Sequence, residues 1–149
     1  MTTELLREPG QGRTFTVGTS RVVVKVQDGE PAAAFSLIEW SIPPGAPAPP
    51  RHIHHEGSET FFVLEGELTF PLAESRVVVV AGGCLHLPPG TPHTLANEGA
   101  VMARALEMFV PGSLMGLVED VGALFASGMP PDRARLLEVF TRHASELVG

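Results

Sequence analysis

The chain predicts an all-β domain followed by a helical tail, and three observations carry that prediction. Runs of β-branched and aromatic residues recur at roughly 8–12-residue spacing with turn signals between them, the pattern of a barrel or sandwich. The 16 glycines and 14 prolines among 149 residues are a heavy load for a helical protein and suit many turns between short strands. Only after residue 112 does the apolar period lengthen to that of a helix. Hydrophobic residues at 44% and charged residues at 18% fit one globular domain large enough to bury a core.

Taken in order, residues 1–12 read as a loose arm closed by the turn-rich P-G-Q-G. Residues 13–17 alternate weakly and predict a first short strand, and the β-branched residues 22–26 predict a second. Q-D-G-E-P at 27–31 is a strong turn. Residues 34–42 predict a strand with Phe35, Leu37 and Glu39 on one face and Ile38, Trp40 and Ile42 on the other. The stretch 43–50 holds five prolines, so it is neither helix nor central strand. It is a stiff loop that delivers the chain to His52. Further strands are predicted over 60–64, 68–72, 76–80, 85–87, 94–96 and 101–110, with Glu65-Gly66 and Gly82-Gly83 as turns.

The tail predicts two helices. Leu114, Leu117, Val118, Val121, Leu124 and Phe125 fall at helical spacing, with Ser113 placed as a cap. Residues 128–131 stop that helix. A second begins at Asp132, with Leu136, Leu137, Phe140, Ala144, Leu147 and Val148 on one face. The domain plan is therefore an arm at 1–12, a barrel at 13–112, and a helical segment at 113–149 packed on the barrel or on a partner subunit.

The stretch 45–66 carries the chemistry. His52 and His54 are two apart, so in an extended strand both face one side and Ile53 the other. His55 then faces away and reads as exposed. Glu59 returns on the next strand, and His93 follows a Pro/Gly turn at 88–92. Imidazoles on one face with a carboxylate are a transition-metal ligand set. Phe61 and Val63 share the parity of Glu59 and are candidate pocket walls; Trp40 and His86 are further pocket candidates, set against ordinary core for Trp40 and a satisfied or exposed histidine for His86. Three of the six histidines sit within four residues, which a His-rich surface loop would also explain; Glu59 and the separate His93 argue against that.

These residues resemble the two signature motifs of the cupin superfamily. Gly45, His52, His54, Glu59 and Gly66 match the first, with its first spacing one residue longer than the common form. Gly82, Pro88, Gly90, His93 and Asn97 match the second in full. Cys84 stands where an aspartate is common in that motif and reads as a small filler. The resemblance implies a double-stranded β-helix, or jelly-roll barrel. It implies one divalent transition metal per chain (Fe, Ni, Mn, Zn or Cu) held by His52, His54, Glu59 and His93. It also implies that Asn97 is a structural hydrogen-bonder and that Glu59 acts as a ligand or as a free catalytic base. Members similar to the quercetin-dioxygenase-like cupins make a dioxygenase-like oxidoreductase the first expectation, acting on an uncharged ring-bearing or diketone or enediol-type molecule. A non-redox isomerase, cyclase or decarboxylase, or a non-catalytic binding cupin, is the alternative. Single-domain cupins often pair, so a homodimer is expected, with the Val-rich segments 22–26 and 77–80 as candidate edges.

Charge and composition exclude other classes. A net charge of −7, from 10 basic and 17 acidic side chains, argues against gripping a phosphate backbone. No apolar run approaches the roughly 20 residues of a membrane span, and the first residues lack the form of a signal peptide. The lone Cys84 permits no internal disulfide, which fits a reducing cytosol. The expected partner is a small molecule, not nucleic acid or membrane, and the expected compartment is the cytoplasm.

Overall fold

The computed structural model describes residues 4–149. Its strands are β1 (Thr14–Val17), β2 (Ser20–Val26), β3 (Ser36–Ile42), β4 (His52–His54), β5 (Ser58–Glu65), β6 (Glu67–Pro71), β7 (Arg76–Val80), β8 (Cys84–Leu87), β9 (Ala103–Val110) and β10 (Ser145–Leu147). Two helices, α1 (Met115–Ser127) and α2 (Arg133–Arg142), stand between β9 and β10.

The strands form two layers. One is a six-stranded antiparallel sheet in the order β1-β2-β3-β9-β5-β8. The other is assembled from two pairs, β10-β4 and β6-β7. The segment between them is bridged on both sides, His52 to His93 and Thr69 to Ala96. The predicted strand at 94–96 is thus this linking segment, held by single bridges where a full ladder was expected. Ile38, Trp40, Ile42, Phe61, Val63, Leu68, Phe70, Ala105 and Phe109 fill the space between the layers. The result is a jelly-roll barrel with two helices after it.

Local chemistry explains the joints. Gly66, at φ 70°, turns β5 into β6, and a Cβ there would lie 2.8 Å from the Met102 carbonyl oxygen. Asn97 is fully buried; its amide donates to the carbonyls of Ile42 and Val101 at 2.8 Å, and its oxygen accepts from Gly99 N–H at 3.0 Å. It ties the end of β3 to the approach to β9, the structural role expected of it.

Four readings of the sequence need correction. The arm is not loose where it is described. Arg7 donates to the Lys25 carbonyl and pairs with Glu30, and the Lys25 ammonium reaches the Glu8 and Gln11 carbonyls; residues 1–3 lie outside the described residues. Ser113 does not cap α1. It belongs to a 3-10 turn, Gly112–Leu114, and the cap residue is Leu114, without a side-chain bond. The second helix does stop early. Asp132 caps it by accepting from Ala134 and Arg135 N–H, but the chain leaves the helix after Arg142 and Ala144 takes φ 51°. Ala144, Leu147 and Val148 therefore belong to no helical face, and Leu137 is exposed. Finally, Val22–Val24 lies buried between β1 and β3 and offers no free edge, whereas β7 leaves Val78 and Val80 exposed.

Candidate metal centre

His52 and His54 reach the barrel interior because β4 alternates: both are buried and Ile53 turns outward toward partial exposure. β10 lies antiparallel to β4, with Ser145 opposite His54 and Leu147 opposite His52. Glu59 comes from the inward face of β5, and His93 from the linking segment. All four side chains are buried. Nitrogens of His52, His54 and His93 lie within 4.8 Å of one another. The Glu59 carboxylate lies 2.8 Å from His93 Nε2 and 3.3 Å from His54 Nε2.

The outer nitrogens fix the inner ones. His52 Nδ1 lies 2.6 Å from the Pro50 carbonyl and His93 Nδ1 2.9 Å from the Thr91 carbonyl. A carbonyl only accepts, so both Nδ1 atoms carry the proton. His54 Nδ1 lies 2.7 Å from Ser145 Oγ, which itself donates to the His143 carbonyl at 3.0 Å, so His54 Nδ1 donates as well. In the neutral rings, every Nε2 then offers a lone pair. His54 Nε2, His93 Nε2 and Glu59 Oε2 are buried without a hydrogen-bond partner among the described residues. The short contacts to Glu59 lack hydrogen-bond alignment. Acceptor atoms packed this closely repel one another unless a cation sits among them, and a transition-metal ion fits that donor set.

The electrostatics of the metal-free site divide the rings. Burial, with the charge of His93 second, lowers the His52 pKa to about 3, so its ring is neutral. Burial opposes charge on His93, but the Glu59 carboxylate overrides it and raises that pKa. Burial likewise opposes charge on Glu59, and the contacts with His54 and His93 hold its pKa well below the usual range.

One buried acid was missed from the sequence. Glu107, on the inward face of β9, sits diagonally across from Glu59 and accepts from Trp40 Nε1 at 2.8 Å. Burial and then the charge of Glu59 push its pKa well above the ordinary value, which favours the protonated acid facing Glu59. Ser145 was also missed, because the strand that carries it was read as helix.

An apolar cavity opens beside these groups. Trp40, Ile42, His52, Glu59 and Glu107 form its barrel side, and Leu117, Val118, Val121 and Phe140 its helical cover. The Phe140 ring stands 5.0 Å from the His52 ring. Trp40 is therefore both core and pocket wall. Phe61 and Val63 do face inward with Glu59 but are fully buried in the core below, Phe61 against Phe70 at 4.9 Å. His86 needs correction: it lies on the outer face of β8, exposed, with Nδ1 2.8 Å from Thr60 Oγ1. The inward residues of β8 are Leu85 and Leu87. Cys84 is likewise exposed on that outer face and fills no space. His55 is exposed beside Glu146. No helix among the described residues is long and apolar enough to cross a membrane.

Comparison with known proteins places this geometry. Residues 38–109 match the family described as the cupin domain. The HTH-type transcriptional regulator PuuR of Escherichia coli (strain K12) is 30% identical over 102 residues, covering 68% of this chain and 55% of that protein. Quercetin 2,3-dioxygenase of Bacillus subtilis (strain 168) is 30% identical over 118 residues, covering 79% of this chain and 34% of that protein. The chain thus spans about half, or less, of the curated relatives it matches. An RmlC-like cupin from Shewanella frigidimarina superposes with a TM-score of 0.61 at 18% identity, covering 73% of this chain and 92% of that one. The last likeness speaks to the fold alone.

Proposed function

Because the chain belongs to the cupin superfamily, whose members are as varied as a dioxygenase and a transcriptional regulator, we propose from its own site that it is a metal-dependent, dioxygenase-like enzyme acting on a small uncharged molecule. The observation that carries this reading is the convergence of His52, His54, His93 and Glu59 at the edge of a covered apolar cavity. When bound, a divalent transition metal supplies Lewis acidity toward a substrate carbonyl or enol and, if redox-active, the capacity for oxygen chemistry.

The chain's own residues do the rest. The Nε2 atoms of His52, His54 and His93 would hold the ion, their tautomers set by Pro50, Ser145 and Thr91. Glu59 completes the set or takes a proton from an enolic substrate. Glu107 donates to Glu59, and Trp40 fixes Glu107 in turn. Leu117, Val118, Val121 and Phe140 keep bulk water from the reacting edge, which strengthens every electrostatic contact inside.

Oxygen consumption by the metal-loaded protein with a panel of enols, diols and diketones tests the reading; no uptake with any of them contradicts it. The Glu59–Glu107 pair favours one alternative, proton transfer without oxygen, as in an isomerase or cyclase. Turnover under strict anaerobiosis selects that alternative, and tight binding with no product selects a non-catalytic module. We also propose a homodimer, supported by the exposed Val78 and Val80 on the free edge of β7. A monomeric mass in solution contradicts it.

A further inference from the structure

The cavity under α1 carries an inference that rests on the reading above and deepens it. Its volume is about 80 Å³, whereas sites for drug-sized ligands run roughly 300–1,000 Å³. The limit comes from the tail of the chain: α1 presents Leu117, Val118 and Val121, and α2 presents Phe140. The cover is also seated tightly. A Cβ at Gly122 would lie 2.6 Å from the Thr16 carbonyl oxygen, so α1 rests backbone-close on β1.

The lining has no cation of its own. Neither lysine nor arginine is among the described residues that form it, while Glu59 and Glu107 both face it. Without a metal ion, an anionic ligand would meet carboxyl groups and apolar walls. We infer that the site takes a small uncharged carbonyl or enol compound, well short of drug size, with one polar edge toward His52, Glu59 and Glu107 and an apolar body under α1. A flavonol of the kind named in the Bacillus relative is too large to lie wholly within this cavity while α1 is seated.

Trp40 supplies the test. It is the chain's single tryptophan, it lines the cavity, and its N–H is bonded to Glu107. Its emission therefore reports occupancy with or without metal. Metal-free and zinc-loaded protein are titrated with cyclopentanone and with 2-adamantanone (the same polar edge on a larger body), and the metal-free protein also with cyclobutanecarboxylate (matched in size but anionic). Cyclopentanone is expected to give a saturable change, with the other two weaker by about tenfold or more. Val118→Ala, which thins the α1 wall away from the metal ligands, is expected to narrow the gap to 2-adamantanone by about tenfold.

Equal binding of either comparator by the wild-type protein, no saturable change with cyclopentanone, or no effect of Val118→Ala overturns the inference. Metal content measured on the same samples separates the two ideas. Metal bound with the size order lost removes this inference alone. The size order kept in a protein that takes no metal removes the metal-dependent reading alone.

Discussion

Replacing Ser145 by alanine should loosen the metal site without touching a ligand. In the native chain Ser145 Oγ accepts from His54 Nδ1 at 2.7 Å and donates to the His143 carbonyl at 3.0 Å. The alanine methyl leaves His54 Nδ1 facing an apolar group in a buried site. An unsatisfied buried donor costs about 1–3 kcal/mol. It also frees the ring to place its proton on Nε2, the atom that must be bare to bind metal. Loss of such an outer partner lowers metal affinity by about 10–100-fold, which at about 1.4 kcal/mol per factor of ten is the same range. Competition between the protein and a chromophoric chelator for zinc reads the affinity, and urea unfolding of the metal-free protein reads the stability. Ser145→Thr, which keeps the hydroxyl, should retain most of the affinity. Glu146→Ala, at an exposed neighbour, should change neither value. Native zinc affinity in Ser145→Ala would refute the argument that β10 sets the tautomer of His54.

Three further outcomes follow from single residues. Glu107 has a raised pKa, so it holds its proton where the unfolded chain has released one. Its stabilising contribution is full below about pH 4.5 and falls as pH rises through the folded value, so Glu107→Gln should flatten the loss of metal-free stability between about pH 5 and pH 8; an unchanged slope in urea midpoints contradicts this. Gly122→Ala pushes α1 off β1 and should cost about 1–3 kcal/mol in urea unfolding, from the 2.6 Å approach to Thr16. Asp132→Ala removes the cap of α2 and should cost about 1 kcal/mol, lowering the melting temperature by about 2–4 °C.

How far the sequence could be read follows from how each residue announces itself. His52 and His54 are legible because a strand period of two puts both on one face, and Glu59 and His93 because their turns are marked by glycine and proline. Glu107 was not, because β9 reads Ala-Arg-Ala-Leu-Glu-Met-Phe-Val. Its outward Leu106 and Met108 are as apolar as the inward Ala105 and Phe109, so alternation could not say which face was buried. β10 was hidden for a different reason. Ser145–Leu147 has little intrinsic strand preference, and its leucine continues the helical period of α2. Only the turn at Ala144 and the pairing with β4, 91 residues away between Ser145 and His54, make it a strand. His86 fits its reading as a satisfied or exposed histidine rather than as a pocket candidate, because the pairing of β8 with β5 sets it on the outer face opposite Thr60.

The most direct test of the central claim is elemental analysis of the protein purified without chelator or metal-affinity tag, beside a His54→Ala variant. The ligand geometry predicts about one transition-metal ion per chain in the native protein and its loss from the variant. A native protein that holds no metal after reconstitution with iron, nickel, manganese, zinc or copper would contradict it.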